Sequence, residues 1–202
     1  MKTLLLAATS VALIAAPSAA GFIVTPGTMN SVPASNDFQA DLAALGLTEY
    51  ASAGSTIVLD QAGTITFEYF GSESAFRDTF TYGGESFTEN NQSTFGPTAM
   101  FSVGVPAGAF SGFFTSSGTS RTYNVGDEEF GIFMGDSQGS AFESDVIWIG
   151  LDDQISRADD NHDDFILRAT FSSGPLQQVP APGVLGLLGL GALALGGLRR
   201  RK

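Results

Sequence analysis

Gly63-Thr64-Ile65-Thr66-Phe67-Glu68-Tyr69-Phe70 alternates polar and apolar side chains. In a strand, successive side chains point to opposite faces. Thr64, Thr66 and Glu68 therefore share one face, and Ile65, Phe67 and Tyr69 the other. This is a half-buried strand. Working outward, residues 55–60 precede it across a short turn at Gln61-Ala62. Residues 76–82, 99–105, 111–116, 128–134, 145–151 and 165–171 give further strands, with Gly, Ser, Asn or Pro between most of them. No helices alternate with these strands and no repeat of fixed period is present. An all-β fold of β-sandwich or jelly-roll type follows.

One short helix is expected ahead of the strands. Asn36 can cap it, with Gln39 three residues on as a capping-box partner. Phe38, Leu42 and Leu45 then fall on one apolar face, and Gly46 or Gly54 ends it. The 17 phenylalanines are spread along the whole central region, which marks them as core material. Hydrophobic residues make up 43% of the 202, too many for intrinsic disorder. The absence of cysteine excludes a disulfide scaffold and thiol chemistry.

Both ends differ from this central region. Lys2 precedes an apolar run from Leu4 to Ala16, and Ser18-Ala19-Ala20 offers small residues at a cleavage site. This reads as a secretory signal peptide over residues 1–20, cut between Ala20 and Gly21. At the other end, residues 184–198 carry no charged or polar side chain and run into Arg199, Arg200, Arg201 and Lys202. The apolar stretch is short for a membrane span, which takes about 20 residues. The basic cluster holds the tail on the cytoplasmic side, so the residues upstream lie outside.

The tail, with Val179, Pro180, Ala181, Pro182 and Gly183 ahead of the apolar run and basic end, resembles the PEP-CTERM sorting signal of Gram-negative bacteria. That family usually has Glu where Ala181 stands. The resemblance implies recognition by an exosortase and cleavage near the proline element. It implies delivery to the cell surface or an exopolysaccharide matrix. A simple membrane anchor that is never cut has the same length and orientation. The resemblance covers the two ends and does not bear on the activity of residues 21–179.

Between the ends, Arg77, Arg121, Arg157 and Arg168 face all 21 acidic residues, a net charge of −17. That balance excludes a general nucleic-acid binder, which needs clustered Lys and Arg. It favours solubility and divalent cations. Six Asp and one Asn fall between positions 152 and 164: Asp152, Asp153, Asp159, Asp160, Asn161, Asp163 and Asp164. Asp159, Asn161 and Asp163 would point the same way in an extended segment. Hard oxygen donors without cysteine suit Ca²⁺. The candidate ligands are Asp152, Asp153, Asp159, Asn161, Asp163 and Asp164. This is not an EF-hand, because Asp164 and Thr170 stand where its Gly and Glu would be. Residues 147–151, Asp152 and residues 159–167 also resemble a motif of secreted β-sandwich proteins with the same tail. That resemblance implies the fold and Ca²⁺, not an activity. An acidic turn satisfied by its own backbone is the plain alternative.

Other signals are weaker. Gly135-Asp136-Ser137-Gln138-Gly139 matches the Gly-x-Ser-x-Gly nucleophile elbow, and Asp145, Asp152 or Asp153 with His162 would complete a triad. The elbow needs a strand, a turn and a helix, whereas residues 140–151 read as one further strand. His162, the only histidine, is expected in a solvated loop. Asp127-Glu128-Glu129 reads as a solvated strand start, Asn91-Gln92-Ser93 as an ordinary loop, and Trp148 as buried. The expectation is an exported, non-catalytic surface module that binds polysaccharide, Ca²⁺ or another surface protein. A secreted hydrolase using Ser137 and His162 is the alternative. A sugar-active enzyme would need two carboxylates facing across a groove.

Overall fold

The structure, a computed structural model, describes residues 21–135, 140–153 and 161–174. Ala20 and the rest of the signal segment, Ser137, residues 154–160 with Asp159, and residues 175–202 with the sorting motif lie outside them.

Among the described residues, fifteen strands and one helix follow in chain order. They are β1 (Phe22–Thr25), β2 (Met29–Ser31), α1 (Gln39–Ala44), β3 (Glu49–Ala51), β4 (Thr56–Leu59), β5 (Gly63–Gly71), β6 (Asp78–Tyr82) and β7 (Glu85–Thr88). Then come β8 (Thr98–Val105), β9 (Gly108–Ala109), β10 (Phe113–Ser116), β11 (Thr122–Asn124), β12 (Phe130–Met134), β13 (Phe142–Ser144), β14 (Val146–Leu151) and β15 (Phe165–Ser173). They form a seven-stranded sheet in the order β2-β3-β12-β14-β15-β5-β8 and two four-stranded sheets, β13-β1-β4-β9 and β11-β10-β6-β7. Every pairing is antiparallel. This is the all-β sandwich expected from the alternation.

The main core lies between the seven-stranded sheet and the two smaller ones. Ile65, Phe67, Tyr69, Ile132, Ile149 and Leu167 of the large sheet meet Phe22 and Leu59 of one small sheet and Phe80 and Phe114 of the other. The quoted strand behaves as its pattern requires, with Ile65, Phe67 and Tyr69 buried. The central strands β12 and β14 are buried on both faces, and their sequences, FGIFM and VIWIGL, are correspondingly almost unbroken in apolar residues. Their outward residues Phe133 and Trp148 join Phe38, Leu42, Tyr50, Phe70 and Ile166 in a second cluster. Helix α1 covers that face because Phe38 and Leu42 belong to the same cluster.

Three local expectations are corrected. Leu45 is not part of the helix's buried face. It is 52% exposed, because the helix stops at Ala44 and Gly46 turns the chain with φ 78°. Gln39 does not close a capping box. Its side chain donates to the Val32 carbonyl, while Asn36 Oδ1 accepts from the Phe38 amide. Residues 140–151 are two strands in different sheets, β13 and β14, with Asp145 at the corner between them.

Candidate metal centre at one end of the sandwich

The connection between β14 and β15 is gripped at both ends. The Asp152 amide donates to the Glu129 carbonyl and the Asp164 amide to the Leu151 carbonyl. The Asp153 amide donates to Asp164 Oδ2 at 2.7 Å, and the Tyr123 hydroxyl to the Asp153 carbonyl at 3.0 Å. The segment before α1 reaches across: the Asp37 amide donates to Asp163 Oδ2 at 2.7 Å and Asn36 Nδ2 to the Asn161 carbonyl at 2.8 Å. From the β5–β6 connection, the Glu73 amide donates to the Asp163 carbonyl and Ser74 Oγ to Asp153 Oδ2.

These anchors gather carboxylates. Asp152, Asp153 and Asp163 are buried, as is Asp78 at the start of β6. One carboxylate oxygen from each of Glu73, Asp163 and Asp164 lies within 4.8 Å of the others. Glu73 is exposed, so this triangle opens to solvent. Burial, with the Asp153, Asp152 and Asp163 charges adding to it, pushes the Asp164 carboxyl up to about 9 against the pull of the Asp153 amide. Burial also raises the Asp78 carboxyl to about 7, and the adjacent Asp153 carboxylate adds to the rise. Ser116 and Ser74 lie close enough to temper it, yet neither Asp78 oxygen has a hydrogen bond of normal geometry.

Of the ligands read from the sequence, Asp152, Asp153, Asn161, Asp163 and Asp164 meet at this end, and Asp159 lies outside the described residues. The extended geometry assumed for residues 159–163 does not hold at His162, whose φ is 59°. Asp163 and Asp164 instead meet Glu73, which the sequence reading did not select. Asp78 was also missed, although its position was legible. It stands two residues before Phe80 and four before Tyr82 on a strand with inward period two.

His162 corrects the expected solvated loop, because the residue is wholly buried. Its Nε2 lies 3.0 Å from the Glu128 carbonyl oxygen and its ring 4.4 Å from that of Tyr50. Two glycines make the space. Gly131 and Gly150 are cross-strand partners. A Cβ on Gly131 would meet His162 Cδ2 at 2.5 Å, and one on Gly150 the His162 carbonyl oxygen at 2.4 Å. Glu129 likewise is not solvated, being buried and paired with Arg121 at 2.9 Å. Trp148 is buried as expected, with Arg168 over its ring. Gln92 makes its loop an ordered one by donating to the carbonyls of Phe70, Thr94 and Gly96.

No helix among the described residues is long and apolar enough to cross a membrane. No protein-family model, curated protein or solved structure matches the chain.

Proposed function

We propose that this chain is an exported, non-catalytic surface or matrix protein, sorted by an exosortase and built around a calcium-stabilised β-sandwich. The signal-like start and the PEP-CTERM-like tail support the export and sorting. The observation that carries the role of the domain is the gathering of Glu73, Asp78, Asp152, Asp153, Asp163 and Asp164 at one end of a sandwich. Like charges in a poorly solvated place repel unless a cation compensates them. The sealing of the only histidine, with Nε2 against a carbonyl oxygen, supports a binding role over hydrolysis with Ser137. The outward surface then meets exopolysaccharide or another surface protein.

The test of sorting is fractionation and intact-mass analysis of the protein in its host, with and without the exosortase. A mature chain that starts at Gly21, ends near Pro180–Gly183 and sits on the surface is expected. Without the exosortase, a membrane-held precursor should accumulate. A chain of full length in the cytoplasm would overturn the reading. So would ester or peptide hydrolysis that disappears in Ser137→Ala.

A further inference from the structure

We infer that removal of the signal segment leaves the amino group of Gly21 paired with Asp145, and that this pair pins the first strand of the mature protein where two sheets meet. The inference rests on the signal cleavage in the proposal above and goes beyond it, to what the freed terminus does.

Gly21 is buried, although it stands just ahead of the first strand. Its amide donates to Asp145 Oδ1 at 2.9 Å, and its carbonyl accepts from the Asp60 amide at 3.3 Å. A Cβ at this position would fall 2.0 Å from the Phe171 ring, so the site takes a glycine. The next residue, Phe22, is wholly buried and is paired with Leu59 of β4 on one side and Ser144 of β13 on the other. The chain is therefore gripped from the residue at which the expected cut begins it. Asp145 is fixed as well. It stands at the corner between β13 and β14, and its carbonyl accepts from the Phe171 amide of β15 at 2.7 Å. β1 and β13 belong to a four-stranded sheet, and β14 and β15 to the seven-stranded one. The contact thus lies where the chain passes from one sheet to the other.

Cleavage changes the nitrogen at this contact. Water adds across the Ala20–Gly21 amide and the C–N bond breaks. Ala20 leaves as a carboxylate with the water oxygen, and both water protons end on the Gly21 nitrogen. One neutral donor becomes an ammonium with three, at a place where a carboxylate oxygen already lies 2.9 Å away. A hydrogen bond between two charged groups is stronger than one from a neutral amide. Arg121 and Arg168 are committed to Glu129 and Glu68, so neither serves Asp145. The two lysines of the sequence, Lys2 and Lys202, leave with the signal and the tail. The Gly21 nitrogen is then the one amine of the mature chain, and it adds a cation to four arginines facing 21 acidic residues. Asp60, bonded through its amide, and Glu143, across from Ile23 on β13, are the other acids beside it.

The experiment follows the Gly21 Cα shift against pH by NMR, in mature protein purified after export and labelled with ¹³C-glycine, with its start read by intact mass. Asp145 is exposed, so the pair is screened by solvent. The amino group should titrate about half a unit above the usual range of about 7.7–8.0. Burial alone would lower an amine, so a rise reports the carboxylate. Asp145→Asn keeps the accepting oxygen and removes the charge, and it should return the value to the usual range. Glu143→Gln removes one charge from the neighbouring strand and should leave most of the rise. The pair stabilises the fold at neutral pH, and this is lost as pH climbs through the raised amine value. Asp145→Asn should therefore unfold at a lower temperature than the parent at about pH 7 and at an equal one at about pH 10. A chain that starts at Gly21 but titrates in the usual range, unchanged by Asp145→Asn, would overturn the ion pair and leave the cleavage reading standing. So would an equal fall in Asp145→Asn and Glu143→Gln, which would reduce the rise to net charge. A mature mass that starts elsewhere would overturn both.

Discussion

His162 owes its place to residues that have no side chain. Gly131 and Gly150 face each other across β12 and β14, and the imidazole and its backbone fill the room they leave. Overpacking a tight interior costs about 1–3 kcal/mol. Gly131→Ala and Gly150→Ala should each destabilise the chain by at least that much. Urea unfolding monitored at Trp148 measures it, and an unchanged midpoint in both would show that the strand pair can spread. Arg168 illustrates a different residue-scale effect. It donates from two nitrogens to Glu68 Oε2 and lies over Phe70 and Trp148. Lys has no planar fork for this role, so Arg168→Lys should cost about 1 kcal/mol in the same assay.

Among the elements, α1 shows how a short helix takes its stability from packing. Six residues are too few for helix propensity to sustain alone. Leu42, wholly buried, docks it on the outer face of the seven-stranded sheet, while Leu45 faces solvent. Leu42→Ala should therefore cost about 2–5 kcal/mol. Leu45→Ala should stay within about 0.5 kcal/mol. Paired chemical-denaturation curves separate them, and equal losses would restore Leu45 to the packed face. The eight strands expected from the sequence all form, some trimmed at their ends. The unexpected ones, β1, β2, β3, β7, β9, β11 and β13, run two to four residues. Pieces that short carry too little alternation to be read, and their partners in the sheets make them strands.

For the whole molecule, the raised carboxyls at the acid end make stability depend on pH. Asp78 and Asp164 have folded values of about 7 and about 9, both above the ordinary 3.8 of the unfolded chain. A raised carboxyl value favours folding in the protonated form. Its contribution is full below about 3.8 and is lost as pH climbs through about 7 for Asp78 and about 9 for Asp164. In chelator, the midpoint of thermal unfolding should therefore fall between pH 5 and pH 9.5. With Ca²⁺ present the fall should shrink or reverse, because the ion favours the ionised acids. A flat profile in chelator would mean that these carboxyls do not take up protons on folding.

The all-β class was legible from the sequence because alternation is a local property, set by the two faces of each strand. The acidity was legible too, and so was the Asp cluster in the β14–β15 connection, since each is written in the sequence itself. Which strands share a sheet was not legible. The three-residue connection Asp60-Gln61-Ala62 carries the chain from one sheet to another, and only the competition for core burial across the whole chain decides that. The full acid centre was hidden for the same reason. Glu73 and Asp78 lie about 80 positions from Asp153 and Asp163 in the chain, and the two layers bring them together. Local periodicity reports which side of a strand is buried. Tertiary packing alone decides what that side is buried against.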